Sequence, residues 1–161
     1  METLLVPHSA LTRLQVEQLR LLEVEPEQLS ACGDIASALY TLATTSADAI
    51  TGWALLVDQH PRAFLLLMRA PCVPAWADPL AAVVLALQVD RQHQGRGLGK
   101  ACLQALPDAV RRTWPEINQL TLSVDPRNTA ALQLYRSQGW VDRGEAYRAK
   151  VGFERKFVFE L

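Results

Sequence analysis

The chain contains little cysteine and histidine, the residue types that build disulfide frameworks and most transition-metal sites. Its three cysteines, Cys32, Cys72 and Cys102, are an odd number without CxxC spacing, which is typical of reduced thiols that pack as small apolar side chains. Its three histidines are far apart, and no two of them share a helix face at the spacing of metal ligands. The sequence therefore predicts neither a disulfide framework nor a metal site.

Long hydrophobic runs and an excess of one charge are also lacking. The longest apolar stretch, around residues 81–87, is far shorter than the ~20 residues of a membrane-spanning helix. Sixteen basic residues nearly balance seventeen acidic ones, so no basic stripe favours nucleic acid or a membrane surface. The N-terminal residues lack the basic and apolar regions of a signal peptide. We therefore expect a cytoplasmic protein with no nucleic-acid or membrane partner.

The composition and length are those of one globular domain. Of the 161 residues, half are hydrophobic and a fifth are charged, and a chain of this size buries roughly 70% of its unfolded surface. No internal repeat or low-complexity linker divides the chain. Residues 1–161 are therefore predicted to form a single domain.

Hydrophobic periodicity predicts helices first and a mixed sheet after them. Residues 19–22 fit either the end of the first helix or the start of a strand. The first predicted elements are a helix from Ser9 to before Pro26, a helix over 34–43, an antiparallel pair of strands at 52–57 and 63–68, and a buried strand at 82–89. A helix follows from near Gly97, which Pro107 breaks or kinks, and then a strand at 120–124. The last elements are a helix that Asp125 or Asn128 caps and that ends before Gly139, and two closing strands between 140 and 159. The order β-β-β-α-β-α-β-β indicates a mixed α/β sheet with helices on its faces.

The most informative segment is a glycine-rich turn that joins the buried strand to the following helix, residues 89–100. Such a turn presents unpaired main-chain N–H groups at the positive end of a helix dipole, and its glycines let an anion approach the backbone. The P-loop pattern fails, because Gln94 stands in place of its first glycine and Ala101 in place of its hydroxyl residue. The dinucleotide fingerprint fails too, because its third glycine would fall on Lys100 or Cys102.

Two patterns together carry a resemblance to a known family. Gln94, Gly97 and Gly99 spell Gln-x-x-Gly-x-Gly, and one helix and one strand later come Asn128, an alanine three residues on, Leu134-Tyr135 and Gly139-Trp140. The sequence resembles the GCN5-related N-acetyltransferases, or GNAT family, most strongly over residues 82–140. More faintly, residues 22–28 and 152–158 are similar to bacterial diamine and polyamine acetyltransferases.

The resemblance implies the fold and the donor. The expected GNAT fold is an α/β architecture with a mixed, mostly antiparallel central sheet, splayed between strands 4 and 5 and flanked by helices. The expected donor is acetyl-CoA, and no metal is needed. By the resemblance, main-chain groups of Leu87, Gln88 and Val89 hold the pantetheine arm. The main-chain amides expected to bind the pyrophosphate are those of Gln94, Gly95, Arg96, Gly97, Leu98, Gly99 and Lys100.

The second pattern has a physical reading of its own. Asn128, Ala131 and Tyr135 are three and four residues apart, so they share one helix face, where a small alanine lets a cofactor lie close. We expect Asn128 and Ala131 to contact the cofactor and Tyr135 to protonate the leaving thiolate. The alternatives are a purely structural N-cap for Asn128 and a core aromatic for Tyr135.

The resemblance also implies an amine as the acceptor, and we expect a primary amine of a small molecule. Glu25 and Glu27 flank a turn and could guide a cationic amine, and Trp76 in the proline-rich loop could form a wall; the alternatives are a solvated acidic face and a lid over the core. Two other functions stay open: a protein lysine or N-terminal acetyltransferase, and a non-catalytic acetyl-CoA sensor. The phenylalanines Phe153, Phe157 and Phe159 serve either the core or a homodimer interface.

Overall fold

The computed structural model describes residues 1–149 and 152–161 and contains a central seven-stranded sheet. Its strands are β1 (Thr3–Pro7), β2 (Ile50–Val57), β3 (His60–Met68), β4 (Ala81–Val89), β5 (Gln119–Val124), β6 (Val141–Arg148) and β7 (Phe153–Glu160), in the spatial order β1-β2-β3-β4-β5-β7-β6. Neighbouring strands are antiparallel except β4 and β5, which are parallel. The predicted mixed, mostly antiparallel sheet is confirmed.

Helices flank both faces of this sheet. They are α1 (Arg13–Leu19), α2 (Leu29–Cys32), α3 (Ile35–Thr44), α4 (Leu98–Thr113) and α5 (Thr129–Ser137), with 3-10 turns at His8–Ala10, Pro26–Gln28 and Arg91–His93. The predicted caps of the later helices hold: Asn128 caps α5, and Gly139 follows its end with a positive φ of 88°. Among the described residues, no helix combines the length and apolar character required to cross a bilayer.

The N-terminal predictions need correction. Ser9 lies in a 3-10 turn and caps nothing; Thr12 is the N-cap of α1, where its hydroxyl accepts from the Gln15 N–H at 3.1 Å. A strand at residues 19–22 is also wrong, because Leu19 is the last residue of α1. The sequence analysis missed β1, a five-residue edge strand in which only Leu5 is buried, because so little burial leaves no alternating pattern.

Of the two effects predicted for Pro107, a break of the helix is wrong, and a kink stays a prediction. Helix α4 runs from Leu98 to Thr113 with Pro107 inside it. Proline removes one helix hydrogen bond, at a cost of about 3 kcal/mol in a free helix. Here the apolar side of the helix, including Leu103, Leu106 and Val110, is buried against the sheet, and burying side chains of this size stabilises by about 1.5–3 kcal/mol each. Tertiary packing therefore outweighs the local preference.

The sheet divides the interior into two cores. On one face, α4 and α5 pack on Leu120, Trp140 and the fully buried Phe157. On the other face, α1 and α3 pack on Phe64 and Leu66. Phe157 is therefore a core residue, Phe159 packs partly against the same core, and Phe153 is exposed.

Gly52 lies where the second core leaves no room for a side chain. A Cβ at this position would lie 2.8 Å from both Leu42 Cδ2 and Phe64 Cζ. We expect Gly52→Ala to lower the free energy of unfolding by about 1–3 kcal/mol, the range for overpacking a filled core. Urea denaturation measures this change. An unchanged midpoint would mean that the two neighbours move aside freely.

The parallel strands β4 and β5 separate soon after they begin. Their pairing covers only Ala81↔Gln119, Ala82↔Leu120 and Val83↔Thr121. Beyond Val83 the strands diverge, and β4 is bulged at Ala86, where φ is +54° and the register with β3 shifts. The splay predicted between strands 4 and 5 is present, and it leaves a gap in the middle of the sheet, called the β4–β5 gap below.

Candidate functional site

The glycine-rich turn lies where β4 ends, at the open end of the β4–β5 gap. After the 3-10 turn at Arg91–His93, Gly95 has a φ of +75° and Gly97 a φ of +77°, and α4 begins at Leu98. Gly97 is the N-cap of α4 in the left-handed conformation, and no side chain caps the helix. The positive end of the longest helix in the described part of the chain therefore faces outward at this turn.

The main-chain N–H groups of the turn are available to a ligand. Within residues 1–149 and 152–161, none of the N–H groups of residues 94–100 donates a hydrogen bond to the protein. A Cβ at Gly95 or Gly97 would meet no protein atom within 4 Å, so the space above both glycines is open. Free amides, left-handed glycines and a helix N-terminus are the features that bind phosphate groups. The residues present therefore fit a diphosphate group.

Polar contacts fasten this turn to the segment that precedes α2. The Gln94 side-chain amide donates to the Val89 carbonyl at 3.1 Å and to Gln28 Oε1 at 2.8 Å. Asp90 Oδ1 accepts from the Glu23 N–H at 3.3 Å, and Asp90 Oδ2 lies 2.7 Å from His93 Nδ1. The Gln94 side chain thus fixes the turn, while its main-chain N–H stays free. The exposed side chains of Arg96 and Lys100 make no hydrogen bond or ion pair within the described ranges.

Tyr135 lies on α5, which packs on the same face of the sheet as α4. Its ring packs against Trp140 and Phe157, with centroid distances of 5.8 and 6.1 Å. Burial raises the pKa of Tyr135 to about 12, and the charge of a Cys32 thiolate would act in the same direction. Tyr135 packs with the core on the α4 and α5 face, and Cys32 with the core on the opposite face. The Tyr135 hydroxyl makes no hydrogen bond within the described part of the chain.

The other predicted cofactor residues lie on β4 and in the first turn of α5. Asn128 Oδ1 accepts from the Ala131 N–H at 3.1 Å, so the expected N-cap is confirmed. Contact of Asn128 and Ala131 with a cofactor stays a prediction. Leu87 and Val89 of β4 turn toward the core beneath α4, and Gln88 between them turns to the other face. Gln88 is only 3% exposed, and its Oε1 has no hydrogen-bond partner among the described residues.

The predicted acceptor residues do not form one cluster. Glu25 and Glu27 lie around the 3-10 turn at Pro26–Gln28, beside the glycine-rich turn. Trp76 instead lies over β6 and β7, where its ring stacks on Tyr147 with a centroid distance of 6.3 Å and an interplanar angle of 22°. Among the described residues, no hydrogen bond or ring contact joins Trp76 to either glutamate.

The structure adds residues to the surroundings of Trp76 that the sequence analysis did not single out. Tyr147 Oη donates to Glu154 Oε1 at 3.5 Å, and Lys156 Nζ donates to the Trp76 carbonyl at 3.0 Å. The sequence pattern that could have pointed to Glu154 and Lys156 is the alternation along β7, which puts both on the face opposite Phe157. That signal could not be used without knowing which strand lies beside β7.

A separate cavity of about 370 Å³ lies at the opposite end of β4, near Leu80. Its cation, Arg69, pairs with Glu116, donates to the Asp48 carbonyl at 2.6 Å and covers the Trp114 ring at 4.6 Å. Arg69 is therefore occupied by structural contacts. Across residues 1–149 and 152–161, no group of three or more His, Cys, Asp or Glu side chains is close enough to hold a metal ion.

Comparison with known proteins agrees with this geometry. The chain is 29% identical over 100 residues to a Bacillus subtilis (strain 168) protein named uncharacterized N-acetyltransferase YbbJ, and the match covers 61% of each chain. It thus spans about three fifths of that relative's length. An acetyltransferase from Thermus thermophilus superposes with a TM-score of 0.70 at 20% identity, covering 100% of this chain and 98% of that one.

The aminoglycoside acetyltransferase AAC(6')-Ib in complex with coenzyme A gives a TM-score of 0.73 at 16% identity, covering 99% of this chain and 95% of that one. At such identities the likeness shows the fold. The family itself is shown by the sequence, because the model of the acetyltransferase (GNAT) family matches residues 14–140. The chain therefore belongs to the GNAT family of acetyltransferases.

Proposed function

We propose that this protein is an N-acetyltransferase that moves the acetyl group of acetyl-CoA to a primary amine of a small molecule, by direct attack in a ternary complex. The observation that carries the proposal is the row of free main-chain N–H groups at residues 94–100, at the open end of the β4–β5 gap. The GNAT family match and the coenzyme A bound by the structurally similar AAC(6')-Ib support the same donor.

The residues around the gap divide the work of holding the donor. The N–H groups of residues 94–100 would bind the pyrophosphate, because their hydrogen bonds to a charged oxygen are strong. Arg96 and Lys100, both exposed beside these amides, would add charge. The main chain of residues 87–89, which has no β5 partner, would pair with the pantetheine amides as an added strand. An N–H of this bulged segment would stabilise charge on the thioester oxygen.

The acceptor must lose a proton before it attacks. A primary amine with a pKa of ~10.4 requires roughly 4.6 kcal/mol for deprotonation at pH 7, so the acceptor site needs a proton acceptor. The departing thiolate, with a pKa of ~8.5, must be stabilised until it is protonated.

Tyr135 suits the leaving-group side of this reaction. Because its pKa is about 12, its hydroxyl stays protonated at neutral pH and can donate to sulfur. Complete transfer of its proton to a thiolate would be uphill by roughly 5 kcal/mol. Tyr135 would therefore stabilise the sulfur by a hydrogen bond, and the proton that finally stays on sulfur would come from the attacking nitrogen.

The two alternative functions, a protein acetyltransferase and a non-catalytic acetyl-CoA sensor, are each less well supported. A protein acetyltransferase needs an open acceptor groove, whereas here Lys156 holds the loop that carries Trp76 against β7, which favours a small acceptor. A non-catalytic acetyl-CoA sensor has no use for a phenol near sulfur, so Tyr135 favours an enzyme. The cytoplasmic location and the homodimer expected from the sequence stay predictions.

Acetyl-CoA binding and transfer test the proposal directly. At 100 times its Kd, acetyl-CoA is expected to raise the free energy of unfolding by about 2.7 kcal/mol, which corresponds to a rise in Tm of roughly 5–10 °C. Thiol release is then followed with polyamines, amino acids, aminoglycosides and peptides as acceptors, and with no acceptor as the control. No binding would contradict the proposal, binding without transfer would indicate the sensor, and transfer to peptides alone would indicate a protein acetyltransferase.

A further inference from the structure

The sheet has a second face beside the β4–β5 gap, opposite the face that α4 and α5 cover. Along β7, Phe157 points into the core under α4 and α5, so its neighbours Glu154, Lys156 and Val158 lie on the opposite face. Along β4, Gln88 lies on that same opposite face, because Leu87 and Val89 pack on the α4 side. The polar groups of Gln88 and Glu154 therefore lie on either side of the gap, on the face of the sheet opposite α4.

The strand register places Glu154 at the level of the bulge in β4. Three residues beyond the last parallel pair, Val83↔Thr121, the two strands reach Ala86 and Val124. Val124 pairs with Arg155 of β7. Glu154, the residue before Arg155, is therefore at about the same height in the sheet as the bulge at Ala86 of β4. A thioester held by that bulged main chain would face the region of Glu154.

An aromatic wall adjoins this carboxylate. Trp76 and Tyr147 are stacked with nearly parallel rings, and Tyr147 is 43% exposed. Lys156 holds the loop that carries Trp76, through the Trp76 carbonyl at 3.0 Å and Asp78 Oδ2 at 3.8 Å. The wall is thus fixed in place without a ligand, and ring faces of this kind bind flat or apolar ring surfaces.

Glu154 itself is half-buried and little engaged. Its side chain accepts one long hydrogen bond, from Tyr147 Oη at 3.5 Å, and forms no ion pair within residues 1–149 and 152–161. Burial and the nearby Asp125 raise the pKa of Glu154, while Tyr147 and Arg127 act in the opposite direction. A carboxylate with a raised pKa is a better proton acceptor than an exposed glutamate.

We propose that Glu154 accepts the proton of the acceptor amine, and that the Trp76–Tyr147 pair binds a ring of the same acceptor. The inference rests on the proposed N-acetyltransferase function and narrows its substrate class to primary amines carried by a ring with an apolar face. Aromatic amines and amino sugars share this chemistry.

The proton balance of the reaction fits these roles. The ammonium group gives one proton to Glu154, which later releases it to solvent. The neutral nitrogen attacks the thioester carbonyl, the C–N bond forms and the C–S bond breaks. The nitrogen then loses a second proton, which ends on the sulfur that Tyr135 stabilises. Ammonium and thioester thus become amide, thiol and one released proton.

Glu154→Gln tests the proton acceptor, with Glu160→Gln as the matched control. Glu160 lies on the same strand and the same face, six residues and roughly 20 Å away. We expect Glu154→Gln to lower kcat/KM for the amine about 10²-fold or more and to flatten the acid side of its pH profile. Activity in the unsubstituted protein should rise with pH as Glu154 ionises, at a pH above the ordinary range of glutamate. Glu160→Gln should keep the original activity and profile.

Trp76→Leu tests the ring subsite with three probes: 2-phenylethylamine, 6-amino-6-deoxyglucose and the linear n-hexylamine. We expect KM to rise about tenfold for the ring amines, which corresponds to the loss of one stacking contact, and to change little for n-hexylamine. The first two probes tell an aromatic amine from an amino sugar.

Acetyl-CoA binding separates failure of this inference from failure of the proposed function. A full pH profile in Glu154→Gln, or equal effects of Trp76→Leu on ring and linear amines, would overturn the subsite while the acetyl-CoA shift in Tm persists. A protein that takes none of the three probes but still binds acetyl-CoA would also overturn it. Loss of acetyl-CoA binding in the unsubstituted protein would instead overturn the proposed function.

Discussion

Replacing Tyr135 by phenylalanine is expected to lower kcat about 10²-fold or more and to leave the Kd for acetyl-CoA unchanged. The ring packs on Trp140 and Phe157, and phenylalanine keeps that packing. The hydroxyl makes no hydrogen bond within the described residues, so its removal leaves no partner unsatisfied. What is lost is a donor that stays protonated at neutral pH, because burial raises the pKa of Tyr135 to about 12.

Tyr40→Phe is the matched control, because Tyr40 is 71% exposed on α3 and lies outside the site. Steady-state kinetics at saturating acetyl-CoA measures kcat, and calorimetry measures the Kd. If Tyr135→Phe turns over at the original rate, the phenol has no part in the chemistry. A rise in Kd with an unchanged kcat would make Tyr135 a binding residue.

Tyr135→Phe is also expected to change how the stability of the protein depends on pH above pH 10. An unfolded tyrosine ionises near pH 10, whereas Tyr135 in the folded protein ionises at about 12. Between these values the unfolded chain binds fewer protons than the folded one, so the free energy of unfolding falls as pH rises. In Tyr135→Phe this contribution to the fall should be absent, and denaturation followed across that interval would show it.

The features that could be predicted from sequence are local in the chain. A glycine-rich turn between a buried strand and a helix is set by a dozen consecutive residues, and Gly97 and Gly139 adopt the positive φ angles that favour glycine. The N-cap Asn128 accepts a hydrogen bond from the N–H of Ala131, only three residues further along the chain. Such short-range physics survives in any tertiary context, so the turn and the cap matched their predictions.

The features that could not be predicted depend on contacts between distant segments. Pro107 stays inside α4 because the sheet buries that helix, and β1 exists because β2 pairs with it. The aromatic wall joins Trp76 to Tyr147, and the Lys156 anchor crosses 80 positions. Neither Glu154 nor Tyr147 carries a local motif, and only the sheet order brings them to Trp76.

Gly97→Ala is the second substitution with a large expected effect. Gly97 lies in the left-handed region, with φ at +77°, and a Cβ there would meet no protein atom within 4 Å. The substitution therefore strains the backbone by about 1–2 kcal/mol without a steric clash inside the protein. A bound diphosphate would occupy that open space, so the methyl group should weaken acetyl-CoA binding by displacing the phosphate, whereas the strain lowers the free energy of unfolding.

Gly144→Ala separates these two effects. Gly144 also has a positive φ, +97°, and open space around it, but it lies on the edge strand β6. Both variants should lose comparable unfolding free energy, yet only Gly97→Ala should weaken acetyl-CoA binding, about 10-fold to 100-fold, which corresponds to one charge-assisted hydrogen bond. Calorimetric titration of both variants with acetyl-CoA measures the two Kd values. Equal affinity in both would mean that the pyrophosphate does not approach Gly97, and the donor site would have to lie elsewhere.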